Sequence, residues 1–321
     1  MDRCELTRKP LNLGGRIILS LLALLCIIKL CVASAAAQAL IVLSNAQQPY
    51  QVVNREIILQ SKGAVPQTIS LENLRQRPAG YLRQFNPLIT VGSAAADYIF
   101  ASAPAGSQII SSFIPKPGYR RLLNRYSDRL RQIGHTAIFL DQPYYRHITL
   151  ARAVQPDARN LGVILGPTTG KDLPALKTAS EAMGFRLSHD ELVSNDNPLQ
   201  MLQPIMARSD IFLALPDQAI FNRTTAKWIL FMSYQQHIPL IGFSRSYVDA
   251  GALAAVISTP EQIGQQTAEV LNIYNDTGTL PPAGYSRYFS VITNPQVARN
   301  LNIELPAPSQ LEARLKEVEQ R

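Results

Sequence analysis

The residues able to do chemistry are few and scattered. Four histidines, His135, His147, His189 and His237, stand 12, 42 and 48 residues apart, and these intervals match no local metal-ligand spacing. Gly242-Phe243-Ser244-Arg245-Ser246 differs at one position from the G-x-S-x-G elbow that exposes a nucleophilic serine after a strand. That elbow needs a histidine later in the chain, and the last one, His237, comes before Ser244. Gly166-Pro-Thr-Thr-Gly170-Lys171 approaches a phosphate loop. Such a loop requires a glycine five residues before its Gly-Lys pair and a hydroxyl after the lysine, where this chain has Leu165 and Asp172. No paired carboxylates suggest acid–base work. No catalytic residue, metal site or cofactor is therefore expected, and the chain reads as a non-enzyme.

Binding chemistry remains. Asp141 and Gln142 follow an apolar run ending at Leu140, and Asp217 follows one ending at Leu215. Either aspartate can cap a helix or take a ligand amine or hydroxyl. Thr168, with the backbone N–H groups of its glycine loop, can meet a carboxylate at a helix start.

The elements that would position these residues are legible. Short apolar runs occur at 39–44, 87–91, 109–113, 136–140, 161–165, 211–215, 239–243 and 253–257. Runs this short, punctuated by Gly and Pro, suit strands buried on both faces of a parallel sheet. Lys171 to Phe185 has a helical stripe of Leu173, Leu176, Ala179 and Met183, stopped by Gly184. Thr259-Pro260-Glu261-Gln262 opens the clearest helix, with a capping threonine, proline at the first helical position and a glutamine able to reach back; Gly278 follows its end. Gly118 to Gly134, with five arginines, reads as a solvated helix, and Gln310 to Arg321 as a docking C-terminal helix. The alternation predicts an α/β fold of two Rossmann-like lobes with parallel sheets. Ligands in such sheets lie beyond the carboxyl ends of the strands.

The N-terminus has a different character. Arg3, Arg8, Lys9 and Arg16 precede the apolar run Ile17–Ile28, and small residues cluster at 33–39. This is the pattern of a secretory signal peptide over residues 1–37, cleaved after Ala37 or Ala39. An uncleaved anchor over Ile17–Ala37 is the alternative, and Lys29 in its middle opposes it. Cys4, Cys26 and Cys31 all lie in this leader, so a processed chain has no thiol chemistry. Cys26 follows Leu25 and Cys31 follows Leu30, a poor match to lipoprotein processing.

Composition is that of a globular chain: 321 residues, 46% hydrophobic, 17% charged and formal net charge +8. The leader carries five of the basic residues and two of the acidic ones, so the mature chain is only mildly basic. No Lys/Arg stripe interleaved with aromatics argues for nucleic acid.

Three stretches together resemble a known family: Thr136–Pro143 with Ala151–Pro167; Ile238–Ser244 with Tyr247–Val256 and Gln262–Gln266; and Val291–Pro306. Val91-Gly-Ser-Ala-Ala95 adds a first-lobe turn. In this order they resemble the ABC-transporter substrate-binding protein family that includes tryptophan- and tyrosine-binding lipoproteins, over roughly residues 40–306. The resemblance implies a type I periplasmic-binding-protein fold with three hinge crossings. The first lobe is expected at 38–141 plus 246–281 and the second at 142–245 plus 282–321. Crossings are then expected near 141–144, 243–247 and 281–285. It implies an exported, periplasmic, monomeric protein that closes on a small molecule and meets an ABC permease. Expected ligand contacts are Ser44, Asn45, Ser93, Ala94, Asp141, Gln142, Thr168, Asp217, Phe243 and Tyr247, with an amino-acid-like or aromatic ligand. The rival reading uses the same fold as a membrane-anchored sensor or assembly protein that contacts a protein partner.

Overall fold

The computed structural model describes residues 38–192 and 198–320. The expected leader lies outside them.

Strands β1 (Leu40–Leu43), β2 (Gln67–Ser70), β3 (Leu88–Val91), β4 (Gln108–Ile114) and β5 (Gly134–Phe139) come first. Helices α1 (Gln48–Gln60), α2 (Leu71–Arg75), α3 (Ser93–Ser102) and α4 (Lys116–Arg125) alternate with them. The chain then runs through α5 (Tyr144–Val154), β6 (Asn160–Leu165), α6 (Leu173–Ala182), β7 (Arg186–Glu191), α7 (Pro198–Met206), β8 (Ile211–Leu213), α8 (Arg223–Gln235), β9 (Leu240–Gly242), α9 (Arg245–Asp249) and β10 (Ala254–Ile257). It ends with α10 (Pro260–Thr277), β11 (Gly284–Tyr285), β12 (Ser290–Thr293), α11 (Pro295–Asn300) and α12 (Pro308–Glu319).

Two six-stranded sheets result, ordered β11-β5-β4-β3-β1-β2 and β12-β10-β9-β8-β6-β7. Every neighbouring pair is parallel except β10 with β12. The two halves thus repeat one doubly wound order. Each sheet is covered on both faces, which is why its central strands are continuous apolar runs. In the first lobe, Leu40, Val42 and Leu88 pack on one face with Ile99 and Phe100 of α3, and Ile41 and Ile89 pack on the other with Val53 and Ile57 of α1. In the second lobe, Val163 and Leu213 pack with Ile148 of α5 and Leu311 of α12, and Phe212 on the opposite face packs with Ile229 of α8.

α10 starts as its sequence predicts. Thr259 and Gln262 form a reciprocal capping box, and Gly278 closes the helix at φ +70°. The helix lies on the first lobe, where Gly264 lets it approach α1: a Cβ there would stand 2.8 Å from the Val53 carbonyl oxygen.

The lobe boundaries differ from the sequence expectation. Residues 246–257 do not join the first lobe, because β10 pairs with β9 in the second sheet. The chain crosses back at Ser258–Thr259, after that strand, and not at 243–247. Likewise Gly284–Tyr285 pairs with β5 of the first sheet, so the third crossing lies beyond Tyr285. The reason is topological: the second sheet needs a fifth parallel strand in its repeat, and an apolar run carries no label saying which sheet it completes.

Candidate functional site

A cleft of about 940 Å³ opens where the lobes face each other. The first lobe lines it with Phe113, Arg121 and the start of α4, and the second with His147, Thr168, Asp217, Phe221, Phe243 and Arg245. Asp141 and Gln142 of the first crossing and Ser258 and Thr259 of the second form its floor.

The hinge is a hydrogen-bonded unit. Gln142 Nε2 donates to Ser258 Oγ (2.7 Å), joining two crossings. Ser258 Oγ donates to the Tyr288 carbonyl of the third (2.6 Å). Arg146, buried one turn into the second lobe, donates to Gln142 Oε1 and to the Ser286 carbonyl, each at 2.7 Å. Its Nη2 reaches Glu319 of α12 at 2.6 Å, and its guanidinium lies 4.3 Å from the Phe289 ring centroid. A buried guanidinium is tolerated only when its donors are satisfied, and here they join all three crossings to the C-terminal helix. Gln142 therefore lines the cleft while serving the hinge.

Asp141 also faces the cleft, but its carboxylate accepts from the Lys116 N–H at the start of α4. Burial pushes this carboxyl above the usual carboxylate range, opposed by the Lys116 N–H and the Lys116 charge. Nearby, Arg120 of the first lobe approaches Asp172 of the second at 3.5 Å, and the Tyr144 hydroxyl holds Asp172 at 2.8 Å.

The second-lobe wall is organised by Asp217. It is 2% exposed. Its Oδ2 accepts from the N–H groups of Thr168 (2.9 Å) and Thr169 (3.0 Å) and from Thr169 Oγ1 (3.1 Å). Oδ1 accepts from Ala219 N–H at 3.2 Å. The loop N–H groups read from sequence as available to a ligand carboxylate are thus occupied by an internal one. Gly166 makes room, since a Cβ there would stand 2.6 Å from the Asp217 carboxylate. Phe243 and Phe221 face each other edge-on at 6.1 Å. Tyr247 supports Phe243 at 4.6 Å without being among the lining residues. It is buried, its hydroxyl has no partner, and burial pushes its pKa up to about 12.

The first-lobe wall is built differently. Phe113 sits at φ +54°, where β4 shifts register against β5. A bulky residue in this left-handed region is strained, and the bulge turns its ring out of the strand alternation. The ring meets Tyr50 edge-on at 5.3 Å.

Besides Tyr247, four expected contacts are not among the lining residues. Ser44 Oγ accepts from Ala95 N–H (2.9 Å), capping α3 from the neighbouring strand. Asn45 Oδ1 accepts from Gln47 N–H (2.8 Å), forming a turn into α1. Ser93 and Ala94 are exposed on the first turn of α3. Ser44 and Asn45 thus take local structural roles open to their residue types. Ser244 likewise caps α9 by accepting from Tyr247 N–H.

Sequence reasoning missed Phe113, Arg121, His147, Phe221 and Arg245. Arg245 lay within the near-elbow motif and could have been drawn from it. The bulge that presents Phe113 leaves no trace in composition. His147 is buried at 2% exposure with Nδ1 lacking any partner, and burial followed by the Arg146 charge lowers its pKa to about 4. Its imidazole is neutral at physiological pH. Among the described residues no cluster of His, Cys, Asp and Glu could hold a metal ion, and no helix is long and apolar enough to cross a membrane.

The sequence model of a family described as ABC transporter substrate binding protein matches residues 136–313. No curated protein matches the chain. Among solved structures, a ligand-free, open substrate-binding protein with adhesive properties from Clostridium difficile aligns with a TM-score of 0.65 and 13% identity, over 84% of this chain and 96% of that one. A conserved domain protein from Vibrio cholerae aligns at 0.54 and 17%, over 87% and 98%. An ABC domain in complex with L-Trp from Streptococcus pneumonia aligns at 0.53 and 16%, over 87% and 98%. At these identities the likeness is one of fold, and it agrees with the two-lobed parallel architecture expected from the sequence.

Proposed function

The chain belongs to the ABC transporter substrate-binding protein family, and on that premise we propose that it is an exported solute-binding protein whose lobes close on a small amino-acid-like or aromatic molecule. The family is one of transport proteins and not of enzymes. The observation that carries the reading is the cleft itself: about 940 Å³, floored by the hinge crossings and walled by an aromatic side chain from each lobe. That volume suits a small metabolite. Closure follows from the ligand's better contacts with the closed state, and the closed surface is what a permease would recognise.

Processing after Ala37 agrees better with the fold than processing after Ala39. Ala39 is 7% exposed and its carbonyl accepts from Gln67 N–H at 2.9 Å, while the Gln38 carbonyl accepts from Asn86 N–H at 3.2 Å. Cutting after Ala39 would remove residues that pair with the first sheet.

Native mass spectrometry of the exported protein tests both points. The expected result is a mature chain starting at Gln38 that releases a bound small molecule on denaturation. An empty protein with no thermal shift across amino acids and small aromatic metabolites would defeat the solute-binding reading. An intact leader would favour the anchored rival.

A further inference from the structure

The charged groups of the cleft are unevenly committed. Asp217 spends its carboxylate on Thr168, Thr169 and Ala219. Asp141 holds the Lys116 N–H and lies beside the Lys116 charge. Asp217 has no acceptor position left for a ligand ammonium, and at Asp141 the Lys116 charge would repel one. Glu261 is exposed on the first turn of α10, where the helix's partial positive charge already favours an acid. Arg121 and Arg245, by contrast, have no hydrogen bond or ion pair among the described residues, and both line the cleft from exposed positions on opposite lobes. The Arg121 Nη2 lies over Gly118, 3.8 Å from where a Cβ would be. The neutral, buried His147 adds an unpartnered nitrogen to the same cleft.

Resting on the solute-binding reading, we propose that the ligand is an aromatic carboxylate without an α-ammonium group. Its ring lies between Phe113 and the Phe221–Phe243 pair, and its carboxylate is drawn to Arg121 and Arg245. The placement also supplies a closing force. Two guanidinium groups on facing lobes repel as the lobes approach, so the empty cleft resists closure. A carboxylate between them turns that repulsion into attraction in the closed state alone, and this differential contact is what a ligand must provide to shift the equilibrium. An amino acid would bring an ammonium group for which the cleft offers only Glu261, an exposed carboxylate at a helix start, so that little offsets the cost of desolvating it.

The test is calorimetric titration with matched sets: 3-phenylpropionate, phenylalanine and phenethylamine, then indole-3-propionate, tryptophan and tryptamine. The acids are expected to bind at least tenfold more tightly than the matched amino acids, with no binding of the amines. Acid affinity should fall severalfold between low and high salt, since the contacts are ionic. Arg121→Gln and Arg245→Gln should each weaken acid binding about tenfold while leaving the Tm of the empty protein unchanged, and small-angle scattering should find empty Arg245→Gln more closed than the parent. An amino acid binding as tightly as its matched acid, or release of a neutral solute from the purified protein, would overturn the ligand class while sparing the solute-binding reading. No binding to any of the set, together with an empty purified protein, would overturn both.

Discussion

The two lobes share a strand order and finish their cleft edges by opposite means. The second lobe sets its wall with buried polar chemistry: Asp217 ties the loop after β6 to the loop after β8 through three hydrogen bonds, with a fourth from Ala219 in its own loop, and Tyr247 props Phe243 from behind. The first lobe presents Phe113 by backbone strain at a bulge. A wall fixed by a satisfied buried carboxylate is stiff, because moving it strands donors away from water. A residue held at positive φ persists because the packing around it over-determines it. The cleft thus pairs a wall set by hydrogen bonds with a wall set by a strained bulge about a shared hinge.

That comparison breaks most readily at Asp217. Asp217→Ala should destabilise the protein by about 2–4 kcal/mol in urea unfolding, because the Thr168 and Thr169 donors are left without an acceptor. Gly166→Ala should act in the same direction by displacing the carboxylate. A loss below about 1 kcal/mol in both would remove the claim of a rigid wall.

The hinge side of the second lobe has its own signature in pH. His147 titrates near 4 when folded against 6.5 ordinarily, so the unfolded chain takes up the proton first. Stability is then full above pH 6.5 and declines as pH falls through 6.5 toward 4, by up to about 3 kcal/mol. Asp141, with its raised carboxyl, contributes the opposite sign in acid and is common to both proteins. The difference between parent and His147→Gln unfolding energies across pH 4–7 isolates the histidine, and a flat difference would refute it.

Phe113→Gly sharpens the contrast from the other wall. Lost ring packing and relieved strain oppose each other, so stability should change by less than about 1 kcal/mol. Ligand affinity should nevertheless fall at least tenfold in titration. Unchanged affinity would place the ligand away from the first lobe.

The smallest effect belongs to the contact between lobes. Asp172→Asn removes the partner of Arg120, a half-exposed pair worth at most about 1 kcal/mol. Ligand affinity should change by no more than about fivefold, and scattering of the empty protein should shift toward larger dimensions.

The sequence carried the central strands and the principal helix cap, because burial on both faces imposes apolar runs and a capping box imposes residue types at fixed offsets. It did not reveal β2, β7, β11 or β12, and these are the four sheet edges. Gln67-Thr68-Ile69-Ser70 buries only Ile69, and Arg186 to Glu191 buries none, so neither shows the apolar signal of a central strand. The candidate site was legible only as places after strands. Ser44, Asn45 and Asp217 are polar and follow strands, yet each accepts from a backbone N–H, and of the three only Asp217 lines the cleft.

What the sequence alone determined is the fold class, the eight central strands in their order, and the absence of a recognisable nucleophile or ligand-set motif, since these depend on local periodicity and spacing. The tertiary structure decided which sheet β10 completes, which polar side chains are occupied, and which charges stay free in the cleft. Those depend on hydrogen bonds and register between residues dozens of positions apart, as between Asp217 and Thr168 or Arg146 and Glu319, and no local pattern encodes them.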